Sequence, residues 1–221
     1  MSADLVTRLR ALDACAVSDA LERHGLPPAV VGLVQVGAPA AIAGRVVTVE
    51  LGPAGAERPT RHLCTAAVDV SGPGEVIVVA NDGRTDCAGW GGLLSQAASL
   101  RKVEGVVIDG VCRDVPEALE AGLSVYARGP VAVTARGRVI ERSWGEPVQI
   151  VGTTVTSGDL VIADASGVAF VPEAAAAEVI KTAEDIAVRE RSMAAALRKG
   201  IPVSEVMGTD YESLLERMES Q

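Results

Sequence analysis

The chain has 221 residues, 48% apolar but only 2% aromatic, with 20 basic against 29 acidic side chains and a formal charge of −9. A chain of this length folds as one or two domains and buries about 70% of its unfolded surface, so a core of Ala, Val, Leu and Ile needs no disulfide or metal. The negative charge and the near absence of aromatic platforms disfavour a nucleic-acid partner, which needs a basic groove or bases stacked on rings.

Leu5, Leu9 and Leu12 recur at helical spacing, and Ser18 opens a second short helix that Gly25 ends, so residues 1–25 read as a helical cap. Val47, Val49 and Leu51 mark residues 43–51 as a strand; 53–59 read as a loop and 61–70 as a helix. The turn Gly72-Pro73-Gly74 launches the apolar run 76–80, expected to be buried on both faces, and a loop with Asp82 and Asp86 follows. Gly89-Trp90-Gly91-Gly92 enters a helix ending near residue 102, with Leu93, Leu94, Ala97 and Ala98 on its apolar side. Residues 106–108 read as the next buried strand and 109–114 as a strand-to-helix loop. Val115, Ala118 and Leu119 give the following helix its buried side. Short strands are predicted at 125–127, 131–134, 139–142, 148–151 and 160–163, making a β-rich second half against an α/β first half. A long helix covers 173–199 and a shorter one carries Tyr211, Leu214, Leu215 and Met218. Residues 71–77 and 157–162 look alike, which we read as shared turn chemistry before a strand and not as an internal repeat.

No stretch reads as a membrane span: the longest uncharged run, 29–44, is interrupted by Gly32, Gly37 and Pro39. Asp4, Arg8, Arg10 and Asp13 interrupt the first residues, which lack the apolar segment of a secretory signal, so a cytoplasmic location is expected. Cys15, Cys64, Cys87 and Cys112 form no Cys-x-x-Cys pair and are expected as buried thiols in a reducing compartment.

Two features carry chemistry. The glycine cluster at 89–92 opens a helix, where unpaired N–H groups and the positive end of the dipole suit an anion; the same glycines also suit a tight turn. It is neither a Walker A loop nor a full dinucleotide fingerprint. Arg113-Asp114 follows a buried strand, where open α/β sheets place their ligand crevices, and joins a guanidinium to a carboxylate able to hold a hard cation. Asp114 with Glu117 three residues on also makes a helix-capping pattern, so a metal role, a cap and neither stay open here. His24 and His62 belong to no catalytic arrangement, and Asp159 and Asp164 read as turn formers. The charges of the long helix, Glu190 among them, read as a solvated face within reach of a neighbouring subunit.

Taken in order, Gly89-Trp90-Gly91-Gly92-Leu93-Leu94, Gly105-Val106-Val107-Ile108-Asp109-Gly110-Val111-Cys112-Arg113-Asp114 and Gly158-Asp159-Leu160-Val161-Ile162-Ala163-Asp164-Ala165-Ser166-Gly167-Val168 resemble the RraA-like family. That family includes the 4-hydroxy-4-methyl-2-oxoglutarate/4-carboxy-4-hydroxy-2-oxoadipate aldolases. The resemblance implies a layered α/β/β fold of the swivelling-domain kind: one domain over 1–221, with the helical cap at 1–25 and C-terminal helices at 173–221. It also implies a homotrimer or homohexamer with sites between subunits. By the same resemblance the amides of Gly91, Gly92, Leu93 and Leu94 hold a pyruvate carboxylate. Arg113 stabilises the pyruvyl oxygen and the enolate charge, and Asp114 anchors Mg²⁺ or Mn²⁺.

The implied activity is that of a divalent-metal-dependent lyase that cleaves a C–C bond of a small 2-oxo acid. The reaction is a retro-aldol cleavage, an oxaloacetate decarboxylation, or both, with no Schiff-base lysine. The chain departs from the pattern at Gly92, where many aldolase members carry an acidic residue; Asp86 or Glu190 of the partner subunit are the substitutes the sequence offers. The family also holds regulators that bind a ribonuclease and tend to lack the Asp of the Arg-Asp pair, so Asp114 favours the enzyme. A scaffold repurposed for another lyase or isomerase step is the third reading.

Overall fold

The computed structural model describes residues 2–56, 59 and 61–208. Two helices, α1 (Ser2–Arg10) and α2 (Ala14–Arg23), lead through β1 (Val34–Gln35) into β2 (Ile42–Pro53). Helices α3 (Thr65–Val70), α4 (Gly92–Leu100) and α5 (Val115–Glu120) then alternate with strands β3 (Glu75–Trp90), β4 (Gly105–Cys112) and β5 (Val125–Ala127). Next come β6 (Gly129–Pro130), β7 (Val139–Trp144), β8 (Val148–Ile150), β9 (Thr153–Val155), β10 (Leu160–Asp164) and β11 (Gly167–Val171). A single 3₁₀ turn leads into the long α6 (Ala176–Arg198) and the short α7 (Val203–Val206).

Strands β2, β3, β4 and β5 pair in parallel, and the antiparallel hairpin β10–β11 extends the sheet on the far side of β2. Val34 and Gln35 pair with β5 at one edge, while the Val30 N–H donates to the Val168 carbonyl at the other, 2.8 Å away. One short segment thus touches both outer strands and nearly closes the sheet into a barrel, which leaves few open edges. Tyr126 fastens this closure from inside. Its fully buried hydroxyl donates to the carbonyls of Ala40 and Ala163, and burial pushes its pKa up to about 12.

The apolar run of β3 is buried on both faces, as the sequence predicts. Val76, Val78 and Ala80 point into the barrel with Val107, Tyr126 and Phe170, while Ile77 and Val79 pack outward with Val106, Ile108 and the helices α3 and α4. A third cluster joins α1, α2 and α6 to β10 and β11. The α/β class, the N-terminal helical cap and the long C-terminal helix therefore stand as expected. Among the described residues no helix is long and apolar enough to cross a membrane.

Several local expectations are corrected. Strand β3 runs to Trp90, so Asp82 and Asp86 lie in it and not in a loop; Asp82 and Gly83 adopt left-handed backbone (φ 51° and 64°), and register shifts absorb the extra residues. Strand β4 likewise extends to Cys112, leaving only Arg113 and Asp114 as the turn. Residues 131–134 are not a strand; two bonds, Val131 N–H to Cys112 and Ala88 N–H to the Val133 carbonyl, lay them across β3 and β4. Asp13, not Ser18, caps α2, by accepting the Ala16 N–H at 2.8 Å, and Ser18 sits inside that helix holding the Ala29 N–H. Leu119 is exposed, and the helix predicted around Tyr211 lies outside the described residues.

The cysteines divide three to one: Cys64, Cys87 and Cys112 are buried, but Cys15 is exposed, contrary to expectation. Burial pushes the Cys64 thiol far above the usual range and Cys112 up to about 11. Titration of the native protein with an aromatic disulfide reagent at pH 8 is expected to modify Cys15 alone within minutes, and all four thiols only after unfolding. A second fast thiol would contradict the packing around the sheet.

Candidate functional site

The site grows from the adjacent ends of β3 and β4. Trp90 and Cys112 are the last paired residues, and the Arg113 N–H donates to the Trp90 carbonyl at 3.0 Å, so the ladder reaches as far as Arg113. Asp114 then turns the chain in left-handed conformation, φ 57° and ψ 45°, which costs a non-glycine residue about 1–2 kcal/mol. Its carbonyl accepts the Glu117 and Ala118 N–H groups and so starts α5.

The carboxylate of Asp114 does not cap the helix that Asp114 begins. Oδ2 instead accepts the Gly92 N–H at 3.1 Å, at the first turn of α4, and the Arg113 Nε–H lies 3.0 and 3.1 Å from the two oxygens. The left-handed turn explains this, because it swings the side chain off its own helix and onto the neighbouring one. The local capping role left open by the sequence is thereby removed.

Helix α4 starts without a side-chain cap: Gly91 is extended and the Ser95 N–H closes the first turn onto the Gly91 carbonyl. Trp90 Nε1–H donates to Ser95 Oγ at 2.9 Å, which fixes the approach of β3 to the helix. With the Gly92 N–H taken by Asp114, the N–H groups of Leu93 and Leu94 are left without an acceptor inside the helix, at the positive end of its dipole.

All six residues singled out in the sequence, Gly91, Gly92, Leu93, Leu94, Arg113 and Asp114, line one cleft of about 240 Å³. Arg113 is partly buried; its Nε is engaged by Asp114 while the two Nη groups carry no other bond among the described residues. The lining also includes His62, Thr134 and Arg136, none of which the sequence reading assigned to the site. His62 precedes α3 and Arg136 follows the crossing segment 131–134; only packing distant in sequence brings them here, and no motif marks either. A neighbouring cavity of about 420 Å³ shares His62, Thr134 and Arg136, so the cleft continues past them. Two arginines and a histidine against Asp114 make it suited to an anion.

Other residues weighed in the sequence lie elsewhere. Asp86 is bound through both oxygens to Arg84, at 2.9 and 2.7 Å, and the guanidinium pulls its carboxyl down to about 2; it is not a cleft residue. Asp159 and Asp164 accept backbone N–H groups at the ends of β10, and His24 meets Thr182 between α2 and α6. Among the described residues no group of three or more His, Cys, Asp or Glu side chains gathers to hold a metal. A cation at Asp114 would therefore keep most of its water, as Mg²⁺ does at sites with one or two carboxylates, and the hard, partly exposed oxygens of Asp114 fit such an ion.

The chain is 26% identical over 197 residues to protein DlpA of Legionella pneumophila, covering 89% of this chain and 32% of that protein. It is 34% identical over 108 residues to a Burkholderia mallei protein named "Putative 4-hydroxy-4-methyl-2-oxoglutarate aldolase", covering 48% of this chain and 64% of that one. The chain thus spans less than two thirds of the length of either relative, 32% of one and 64% of the other. A crystal structure of a Pseudomonas syringae protein superposes with a TM-score of 0.83 at 28% identity, over 93% of this chain and 97% of that one. RraAS2 of Streptomyces coelicolor, described as an unusual member of the RNase ES inhibitor RraA protein family, shares the fold with a TM-score of 0.76 at 24% identity, over 85% and 94% of the two chains. The RraA-like family profile (Aldolase/RraA) matches residues 14–170, which include every residue of the cleft, and the chain belongs to that family.

Proposed function

We propose that the chain is a lyase that cleaves a C–C bond of a small 2-oxo acid and releases pyruvate, with Mg²⁺ or Mn²⁺ held at Asp114. The observation that carries this reading is the convergence of Arg113, Asp114 and the open amides of α4 on one cleft. The Leu93 and Leu94 N–H groups bind the carboxylate beside the 2-oxo group. Asp114 holds Arg113 by its Nε, leaving the Nη groups for the 2-oxo oxygen, where they stabilise the negative charge that grows as the C–C bond breaks. The cation, when bound, supplies Lewis acidity toward the same 2-oxo group. With the guanidinium and the cation taking up the enolate charge, the chemistry needs no Schiff-base lysine. His62 and Arg136 in the cleft lining suit a second carboxylate, which favours oxaloacetate and 4-hydroxy-4-methyl-2-oxoglutarate as test substrates.

A trimer or hexamer fits this reading. Leu93 at the cleft and Leu100 at the far end of α4 are 81% and 86% exposed, and a subunit contact along this helix would cover them.

The test is pyruvate release from both substrates, coupled to lactate dehydrogenase, in Mg²⁺ and after EDTA. Metal-dependent turnover is expected, falling roughly a hundredfold or more in Asp114→Ala. No turnover above the metal-only background, from a folded protein, would overturn the lyase and favour a regulator or a scaffold serving another step.

A further inference from the structure

The cleft that holds Arg113 and Asp114 does not end at His62 and Arg136. His62, Leu63, Thr134, Ala135 and Arg136 line both it and the neighbouring cavity of about 420 Å³, so the two volumes meet across these five residues. Past this junction the character changes. Ala54, Pro59, Val139 and Ile140 are the apolar walls of the second cavity, and no carboxylate among the described residues lines it. Ala54 and Ile140 are 5% and 6% exposed yet belong to none of the apolar clusters of the core, so they are shielded without being packed into it.

Among the described residues the cation beyond the junction is Arg61, and it is committed to the frame. Its Nε lies 3.0 Å from Glu141 Oε1, and the other oxygen of Glu141 accepts the Cys64 N–H at 2.7 Å. Glu141 stands on β7 with its side chain 2% exposed, so one buried carboxylate holds both ends of the segment 61–64 and sets His62 and Leu63 at the junction. The Ala54 N–H donates to the Arg138 carbonyl at 2.9 Å and ties the end of β2 to the segment that carries Arg136. The Arg136 guanidinium has no partner among the described residues.

A 4-hydroxy-2-oxo diacid presents its groups in a matching order: a pyruvyl half, then C4 with its hydroxyl and carboxylate, then the substituent on C4. With the pyruvyl half at Arg113 and the open amides of α4, and the C4 carboxylate at His62 and Arg136, the C4 substituent enters the apolar cavity. A methyl there takes about the room of one water, ~30 Å³, and leaves the walls wet. A branched alkyl chain or an aromatic ring removes them from water, which is the main source of affinity in such a pocket.

We propose that the preferred substrate is a 4-hydroxy-2-oxo diacid whose C4 substituent is apolar and larger than methyl, of the size of a branched alkyl chain or a benzyl group. This rests on the lyase reading above. The C3–C4 bond breaks and its electron pair passes to C3 as pyruvate enolate. The C4 hydroxyl gives its proton to water and becomes the 2-oxo group of the second product, and C3 takes a proton from water. The products are pyruvate and a 2-oxo acid that carries the apolar group.

The experiment measures kcat/KM for pyruvate release in Mg²⁺, by chromatography, from four 4-hydroxy-2-oxoglutarates that carry methyl, carboxymethyl, 2-methylpropyl or benzyl at C4. Wild type is expected to favour the 2-methylpropyl and benzyl compounds over the other two by about tenfold or more, since each buried methylene gains about three- to fourfold. Ile140→Ala, which strips a wall, and Ala54→Leu, which fills the cavity, should cut that preference to about threefold or less and leave the methyl compound within about threefold of wild type.

Equal kcat/KM for the four compounds, or a preference for carboxymethyl, would overturn this proposal and leave the lyase reading intact. So would a preference that neither variant reduces, or variants in which all four rates fall together. No pyruvate from any of the four, from a folded protein, would overturn the lyase reading and this proposal with it.

Discussion

Arg113→Ala is expected to lower kcat/KM for pyruvate release by roughly 10²–10³, about 3–4 kcal/mol of transition-state stabilisation. The guanidinium is partly buried and oriented by a carboxylate that grips Nε alone, so the Nη groups face developing charge with little reorganisation. Arg113→Lys restores the charge but not the fork held by Asp114, and should recover at most a tenth of the rate. The distinguishing readout is metal affinity. Arg113 competes with a cation for the same carboxylate, so its removal should leave Mn²⁺ binding unchanged or tighter while the rate falls. A near-wild-type rate in Arg113→Ala would remove the guanidinium from the chemistry.

The order of strands and helices was legible because β3 and β4 are continuous apolar runs separated by helical stripes, and such runs fit buried parallel strands. Their length was not legible. Polar residues such as Asp82, Asp86 and Asp109 read as loop, yet Asp109 pairs in regular register with Ala80, and left-handed, bulged backbone keeps Asp82 and Asp86 in β3. Strands β9 and β11 escaped notice because they are short and paired locally. At the site, Arg113 and Asp114 could be found from their place after a buried strand. The direction in which the Asp114 carboxylate points could not, since Asp-x-x-Glu spacing is that of a helix cap and only the left-handed turn redirects it. His62 and Arg136 enter from distant segments, and the apolar cavity beyond them exists only once β7 is paired with β2.

Asp109 is where the frame of the site is most exposed to a single change. It lies on β4, five residues before Asp114, and is 5% exposed. Oδ1 accepts from Arg128 Nε at 2.6 Å and Oδ2 from the Val151 N–H at 2.9 Å, with Val151 itself left-handed at φ 49°. One carboxylate therefore ties the middle of the sheet to the residue before β6 and to the β8–β9 turn. Asp109→Ala leaves a half-buried guanidinium and a backbone N–H without partners. Removing one side of a buried pair costs about 3–5 kcal/mol; Arg128 is 29% exposed and partly rescued by water, which lowers the expectation to about 2–4 kcal/mol. For a chain of this length that corresponds to a fall in Tm of roughly 5–15 °C. Asp109→Asn keeps an acceptor for Val151 and should lose about half as much. Urea unfolding at constant m would measure both, and a loss under about 1 kcal/mol in Asp109→Ala would show that the pair does not hold the frame. Asp114→Ala should show the reverse weighting, because its carboxylate is more open to water: a smaller loss of stability, on the order of 1 kcal/mol since alanine fits the left-handed turn less well than aspartate, and loss of turnover.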